Sequence, residues 1–242
     1  RRHVERLEGW ETFGVAGFFG LAIRLRRSGE HVATDRSPVI VTPVADAREV
    51  LAGGPVGQVR PAVDGAFLVA REGVAAPLAL AEVAGWGAGV VAAWRTFRPS
   101  GRPGGARRRW PASHLELPAS TPAERVDLAH GLLRTVGLTN GFARTVVVCG
   151  HGSDTRNNPF AAGLTCGACG GHPGGDNARL AAALLNDPEV RAGLAPRGIE
   201  IPADTWFVAA EHDTASDEVV LLDVDGDLGP EGRGDDLAAV EA

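Results

Sequence analysis

The residues able to do chemistry gather between Val146 and Gly171, in the run VVVCGHGSDTRNNPFAAGLTCGACGG. The apolar triplet Val146-Val147-Val148 leads into Cys149-Gly150-His151-Gly152-Ser153, and Cys166-Gly167-Ala168-Cys169 begins fifteen residues after the histidine. Imidazole and thiolate are preferred ligands of zinc. A strand that delivers His151 to its C-terminal end, followed by a loop rich in glycine, would bring thiols back to that imidazole. The polar residues Ser153, Asp154, Arg156, Asn157 and Asn158 are of the kind that fix the tautomer of a ligating histidine.

The same residues admit plainer readings. Cys149, ending an apolar run, reads as a core thiol. A lone histidine after a strand is more often a hydrogen-bonded structural residue. Cys166 and Cys169 alone could form a redox pair. The ligand count is also short: His151 with one or two thiols makes two or three ligands, and zinc takes three or four protein ligands.

The elements that must position these residues are legible in part. Thr145–Cys149 is continuously apolar and β-branched, as in a strand covered on both faces. Thr121-Pro122-Ala123-Glu124 is a capping box with proline at the first helical position. Val126, Ala129, Leu132, Leu133 and Val136 then recur at helical spacing, and Gly137 stops the helix. Asn177–Asn186 reads as a helix with Leu180, Leu184 and Leu185 inward, and Asp187-Pro188-Glu189 caps another that ends near Gly198. Thr205–Ala209 and Val219–Val224 read as strands. Upstream, Arg1–Glu8 reads as the end of a helix. Thr12–Ile23, with Phe13, Phe18 and Phe19 as core residues, reads as a strand entering a tight loop. Val39-Ile40-Val41 reads as a short strand, and residues 44–62 as polar and weakly periodic. Residues 64–97 suggest one or two helices with Trp86 and Trp94 near one face. Pro99–Pro111 is a linker, and the acidic tail from Asp225 frays.

This order implies an α/β sandwich with a largely parallel sheet between helices. The expected organisation is 1–43 as the first part of the core, 44–115 as an insertion of helices and a Gly/Pro/Arg linker, and 116–242 as the second part carrying the site loop. In that arrangement Glu211-His212-Asp213-Thr214 ends a strand on the same sheet edge as His151, if the two run parallel. The alternative for His212 and Asp213 is a surface turn.

Bulk properties narrow the class. A net charge of −6 over 242 residues argues against a nucleic-acid footprint. The one basic patch, Arg102 with Arg107-Arg108-Arg109, reads as a solvated loop. Three closely spaced cysteines do not make a secreted disulfide scaffold, and the charged start Arg1-Arg2-His3 does not resemble a signal peptide, so a reducing cytoplasmic setting is expected. The absence of methionine suggests a piece of a longer product. The most apolar segment, Gly73–Trp94, carries Glu82 and reads as a buried or partner-facing helix rather than a membrane span.

At this point the residues carry a resemblance. The stretch GHGSDTRNNPFAAGLTCGACGGHPGGDNARLAAALLNDPEVR, then GIEIPADTWFVAAEHDTASDEV, with the opening RRHVERLEGWETFGVAGFFGLAI, resembles the DabA family. These are the soluble subunits of a two-component inorganic carbon accumulation system. Residues 44–115 carry little of the likeness. The resemblance implies a core similar to β-carbonic anhydrase. It implies a zinc ion held by Cys and Asp of a Cys-x-Asp-x-Arg motif together with a His and a Cys, which correspond here to His151 and Cys166. Cys169 is then a neighbour of the ligands. No Cys-x-Asp-x-Arg occurs in this sequence, so half of the implied ligand set and the implied Asp–Arg pair lie outside it.

The implied activity is hydration of CO2 to bicarbonate, with zinc lowering the pKa of water. The implied partner is a DabB-like membrane subunit that translocates cations, which places the protein at the cytoplasmic face of the cell membrane. Ser153, Asn157, Asn158, Cys169, Arg179, His212 and Asp213 are the candidates for supporting or substrate contacts. Arg179 stands near a helix N-terminus that favours anions such as bicarbonate, or else serves packing or a salt bridge. The rival readings are a non-catalytic scaffold that docks a membrane partner through the apolar helix near residues 73–97, and a Cys166/Cys169 redox pair.

Overall fold

A computed structural model describes residues 9–30, 32–51, 76–97, 113–153 and 160–222. The order is β1 (Ile23–Arg26), β2 (Thr34–Arg36), β3 (Ala45–Leu51), α1 (Ala76–Phe97), β4 (Ser113–Glu116), α2 (Pro122–Val136), β5 (Thr145–Gly152), α3 (Ala161–Leu164), α4 (Gly175–Asn186), α5 (Pro188–Leu194), β6 (Trp206–Asp213) and β7 (Glu218–Leu222). The readings of Arg1–Glu8, the linker Pro99–Pro111 with its arginines, and the tail from Asp225 lie outside the described residues.

Local chemistry makes the helices where it is strongest. Thr121 accepts from the Glu124 N–H, and the Glu124 carboxylate accepts from the Thr121 N–H at 2.7 Å, closing the capping box of α2. Such a cap contributes about 1 kcal/mol. Asp187 accepts from the Glu189 N–H at 2.8 Å and starts α5 behind Pro188. The α2 stripe Val126, Ala129, Leu132 and Leu133 is buried. It meets α5 and α4, and Leu180, Leu184 and Leu185 of α4 are each at most 4% exposed. Burying a leucine stabilises by about 1.5–3 kcal/mol, so this layer fixes α4 firmly.

The strands form two sheets, β2-β1-β3-β4 and β5-β6-β7. The α/β class matches the sequence reading, but both sheets are mixed rather than largely parallel. β1 pairs with β3 and β5 with β6 in parallel, whereas β1–β2, β3–β4 and β6–β7 are antiparallel. The reason is local: β1–β2 and β6–β7 are joined by connections too short for a crossover. β3, within residues 44–115, and β4, which runs one residue past that range, complete the sheet begun by β1.

Several elements differ from their sequence reading. Val39 and Ile40 are a turn tip, 96% and 94% exposed, because the Val41 N–H closes on the Pro38 carbonyl at 2.8 Å. Phe13 is 44% exposed, while Phe19 is buried. The tight turn precedes its strand instead of following it, and β1 starts only at Ile23. β5 is half-buried rather than covered on both faces: Val146 and Val148 pack on the core side, and Cys149 is exposed instead of being a core thiol. Alternation along the strand puts Cys149 opposite those valines, and α4 packs on β5 and β6 from their side. Trp86 and Trp94 of α1 are 89% and 60% exposed. No helix among the described residues is long and apolar enough to cross a membrane.

Candidate metal centre

Three chain segments meet around Gly17. β5 brings His151, a 3-10 turn over Gly167–Cys169 brings the two thiols, and a turn closed by the Phe19 N–H on the Ala16 carbonyl at 2.8 Å brings Gly17 itself. A Cβ on Gly17 would stand 2.6 Å from Cys166 Sγ, 3.5 Å from His151 Nδ1 and 3.7 Å from Cys169 Sγ. Real Cβ atoms do not approach sulfur to 2.6 Å, so only glycine lets this backbone lie against the thiols. Sequence reasoning missed Gly17, because its need for no side chain is set by residues far along the chain.

The thiols are fully buried and lie against each other. Cys169 Sγ donates to Cys166 Sγ at 2.7 Å. That bond does most to pull Cys166 down to about 7; burial opposes it, and the backbone N–H groups of Cys169, Ala168 and Gly17 add to the lowering. Cys169 is pushed far up by its donation to Cys166 and by burial, so it stays the thiol of the pair. The turn is braced by the Cys169 and Gly171 N–H groups, both 3.0 Å from the Cys166 carbonyl. Cys166 is therefore prepared as a thiolate, the form that binds metals.

His151 is held through its backbone. Gly150 lies against the loop before α4, where a Cβ would meet the Gly174 carbonyl carbon at 2.4 Å, and the Gly174 N–H donates to the His151 carbonyl at 2.9 Å. Glu211 of β6, 8% exposed, accepts from the Gly175 N–H at 3.1 Å, an anion at the start of α4. Below this edge lies a buried charge cluster. Asp176 accepts from Arg27 Nη2 at 2.8 Å and from Arg36 Nε at 2.9 Å. Neither Asp176 nor Glu211 was singled out from the sequence, although both stand in stretches read as the site's surroundings.

The other expected residues are placed as follows. β5 and β6 run parallel and His151 is the direct register partner of His212, so the two share a sheet edge. His212 Nε2 lies 2.6 Å from Asp217 Oδ1, and Asp213 Oδ1 accepts from the Ala215 N–H at 2.8 Å, so both engage the β6–β7 turn. Arg179 is 2% exposed and donates from Nη2 to the Ser113 carbonyl and, at 2.9 Å, to its hydroxyl, with Nη1 3.7 Å from Glu49. It ties α4 to β4 and β3. The Ser153 hydroxyl is buried without a hydrogen-bond partner among the described residues. Asn157 and Asn158 lie outside the described residues.

A thiolate and an imidazole suit zinc in donor chemistry. Among the described residues, no group of three or more His, Cys, Asp or Glu is spaced to hold a metal ion. His151 and Cys166 thus fit zinc as part of a ligand set and not as the whole of one.

Fold and site together define an α/β protein that brings His151, at a sheet edge, together with a Cys-x-x-Cys turn. Residues 1–241 match the family described as "Probable inorganic carbon transporter subunit DabA", and the chain belongs to that family. It is 40% identical over 243 residues to proteins of the same description from Bacillus cereus (strain B4264) and Bacillus anthracis, covering 90% of this chain. The chain spans 28% of the length of those relatives. No solved structure matches it.

Proposed function

We propose that this chain supplies His151 and Cys166 to the zinc site of a carbonic anhydrase-like subunit that hydrates CO2 to bicarbonate. The observation that carries the reading is the gathering of Cys166, in its cradle of N–H donors, and His151 around Gly17. The family description, an inorganic carbon transporter subunit, fits CO2 and bicarbonate as substrates and a membrane cation-translocating partner of the DabB type. The subunit then works at the cytoplasmic face of the cell membrane, with a core arranged like that of β-carbonic anhydrase. The remaining zinc ligands belong to other parts of the longer family polypeptide.

When bound, zinc supplies Lewis-acid activation of water for attack on CO2. The protein's share is to keep Cys166 deprotonated, to hold His151 by its backbone, and to exclude water from the buried thiols. Metal analysis of the full-length protein tests this. One zinc per chain is expected, with loss of most of it in Cys166→Ala and His151→Ala. Full zinc in Cys166→Ala overturns the ligand assignment.

A second reading, a non-catalytic scaffold, rests on α1. Its side chains Leu78, Trp86, Val90, Trp94 and Phe97 are all at least 60% exposed, a set suited to an apolar partner. Under that reading Trp86→Ser with Trp94→Ser abolishes carbon uptake, while His151→Ala leaves it intact.

A further inference from the structure

Asn177 is fully buried in the first turn of α4. Its amide nitrogen faces three main-chain carbonyls: Leu21 at 2.9 Å, Arg36 at 3.1 Å and Phe18 at 3.5 Å. An amide has two N–H bonds, and Leu21 and Arg36 take them in ordinary geometry. Three acceptors on one side also fix which way the amide faces, since the flipped group would set oxygen against oxygen.

These carbonyls belong to two separate segments. Phe18 and Leu21 lie in the turn that follows Gly17, and Arg36 ends β2. One side chain therefore ties α4 to both. Each tied segment touches the candidate centre. Gly17 donates its N–H to Cys166 and lies against His151 and both thiols. β2 runs beside the cysteine turn, where a Cβ on Gly170 would lie 3.2 Å from the carbonyls of Asp35 and Ser37. The residues just before α4 hold the other ligand, through the Gly174 N–H on the His151 carbonyl.

The Gly17 turn needs such a tie. Phe19 sits at φ 53°, in the left-handed region that a residue with a Cβ avoids unless its surroundings impose it. The nearby charges are engaged elsewhere: the Arg36 and Arg27 side chains both go to Asp176.

We propose that Asn177 is a positioning residue for the metal centre, holding the Gly17 turn and β2 so that the Gly17 backbone meets Cys166 and His151 at their working separation. This rests on reading His151 and Cys166 as metal ligands. The test uses the full-length family protein with cobalt(II) in place of zinc, read by the thiolate-to-cobalt charge-transfer band and by cobalt affinity.

Asn177→Ala and Asn177→Asp are expected to weaken cobalt binding by about tenfold or more, as losses behind metal ligands do, and to shift or shrink the band. Asn177→Ser, which keeps one donor on a shorter side chain, is expected to fall between them and the unaltered protein. Leu194→Ala, a fully buried core change on α5, serves as the control and is expected to lower thermal stability while leaving band and affinity in place. Folded Asn177 variants with unchanged affinity and spectrum overturn the proposal, as does a Leu194→Ala protein that loses the band equally. An unaltered protein with no thiolate band overturns the ligand reading beneath it, and this inference with it.

Discussion

Cys149 and Cys166 are the same residue type in two regions with opposite outcomes. Cys149 is exposed in the middle of β5, yet its sulfur donates to the Gly150 carbonyl at 3.4 Å. Desolvation there, with Glu211 nearby, pushes its thiol up to about 11. Cys166 is 0% exposed, yet donors from Cys169, Ala168 and Gly17 hold it at about 7. Both sulfurs are desolvated, and thiolate character follows from whether hydrogen-bond donors offset that cost, as they do at Cys166. At the site, the Cys169 thiol and the N–H groups of the turn hold Cys166 down against its burial, whereas at Cys149 desolvation of the sulfur, with the Glu211 charge adding to it, keeps the thiol protonated.

The largest effect expected to break the contrast comes from Gly17→Ala. The new Cβ would collide with Cys166 Sγ, so the full-length protein is expected to lose zinc affinity by more than about tenfold, measured by competition with a chelator. Retained affinity would mean that the Gly17 approach has no part in the site. Next, Asp176→Asn leaves Arg27 and Arg36 buried without their carboxylate, and a cost of about 3 kcal/mol is expected in urea unfolding. A loss under about 1 kcal/mol would show that the cluster is not braced as described.

The pH dependence sharpens the contrast further. Cys166 titrates below the ordinary thiol value of 9.0 when folded. Its contribution to the stability of metal-free protein is therefore full above about pH 9 and lost as pH falls through about 7. Cys149 has the opposite sign: its folded value lies above the ordinary one, so its contribution is full below about pH 9 and lost toward about 11. Urea midpoints between pH 6 and pH 9 should flatten in Cys166→Ala, and an unchanged slope would contradict the assignment. The smallest effect is expected from Cys149→Ala, with zinc content unchanged and a stability change within about 0.5 kcal/mol. Zinc loss there would erase the distinction between the two thiols.

What the sequence made legible follows from how local each signal is. α2 was readable because Thr121, Pro122, Glu124 and Gly137 act within one turn of the helix ends. β5 and β6 were readable from apolar runs, and the approach of His151 to the Cys166/Cys169 pair from residue type and spacing, whereas the choice of Cys166 over Cys169 came only with the family resemblance. β3 was hidden because one of its inward positions is Glu49, which Ser113 and Arg179 satisfy from distant elements. The antiparallel β6–β7 pair was marked by the short interval from Asp213 to Glu218, a hairpin-length connection that the parallel reading passed over. Gly17, Asn177 and Asp176 carried no local signal of their roles, since each acts on segments more than a hundred residues away in sequence.

The central claim, that this chain gives a metal one thiolate and one imidazole, is tested most directly by zinc-edge X-ray absorption of the full-length protein. A first shell containing sulfur and imidazole nitrogen is expected, with one sulfur fewer in Cys166→Ser and no change in Cys149→Ser. A shell that keeps its sulfur count in Cys166→Ser, or a protein that holds no zinc, would contradict the account.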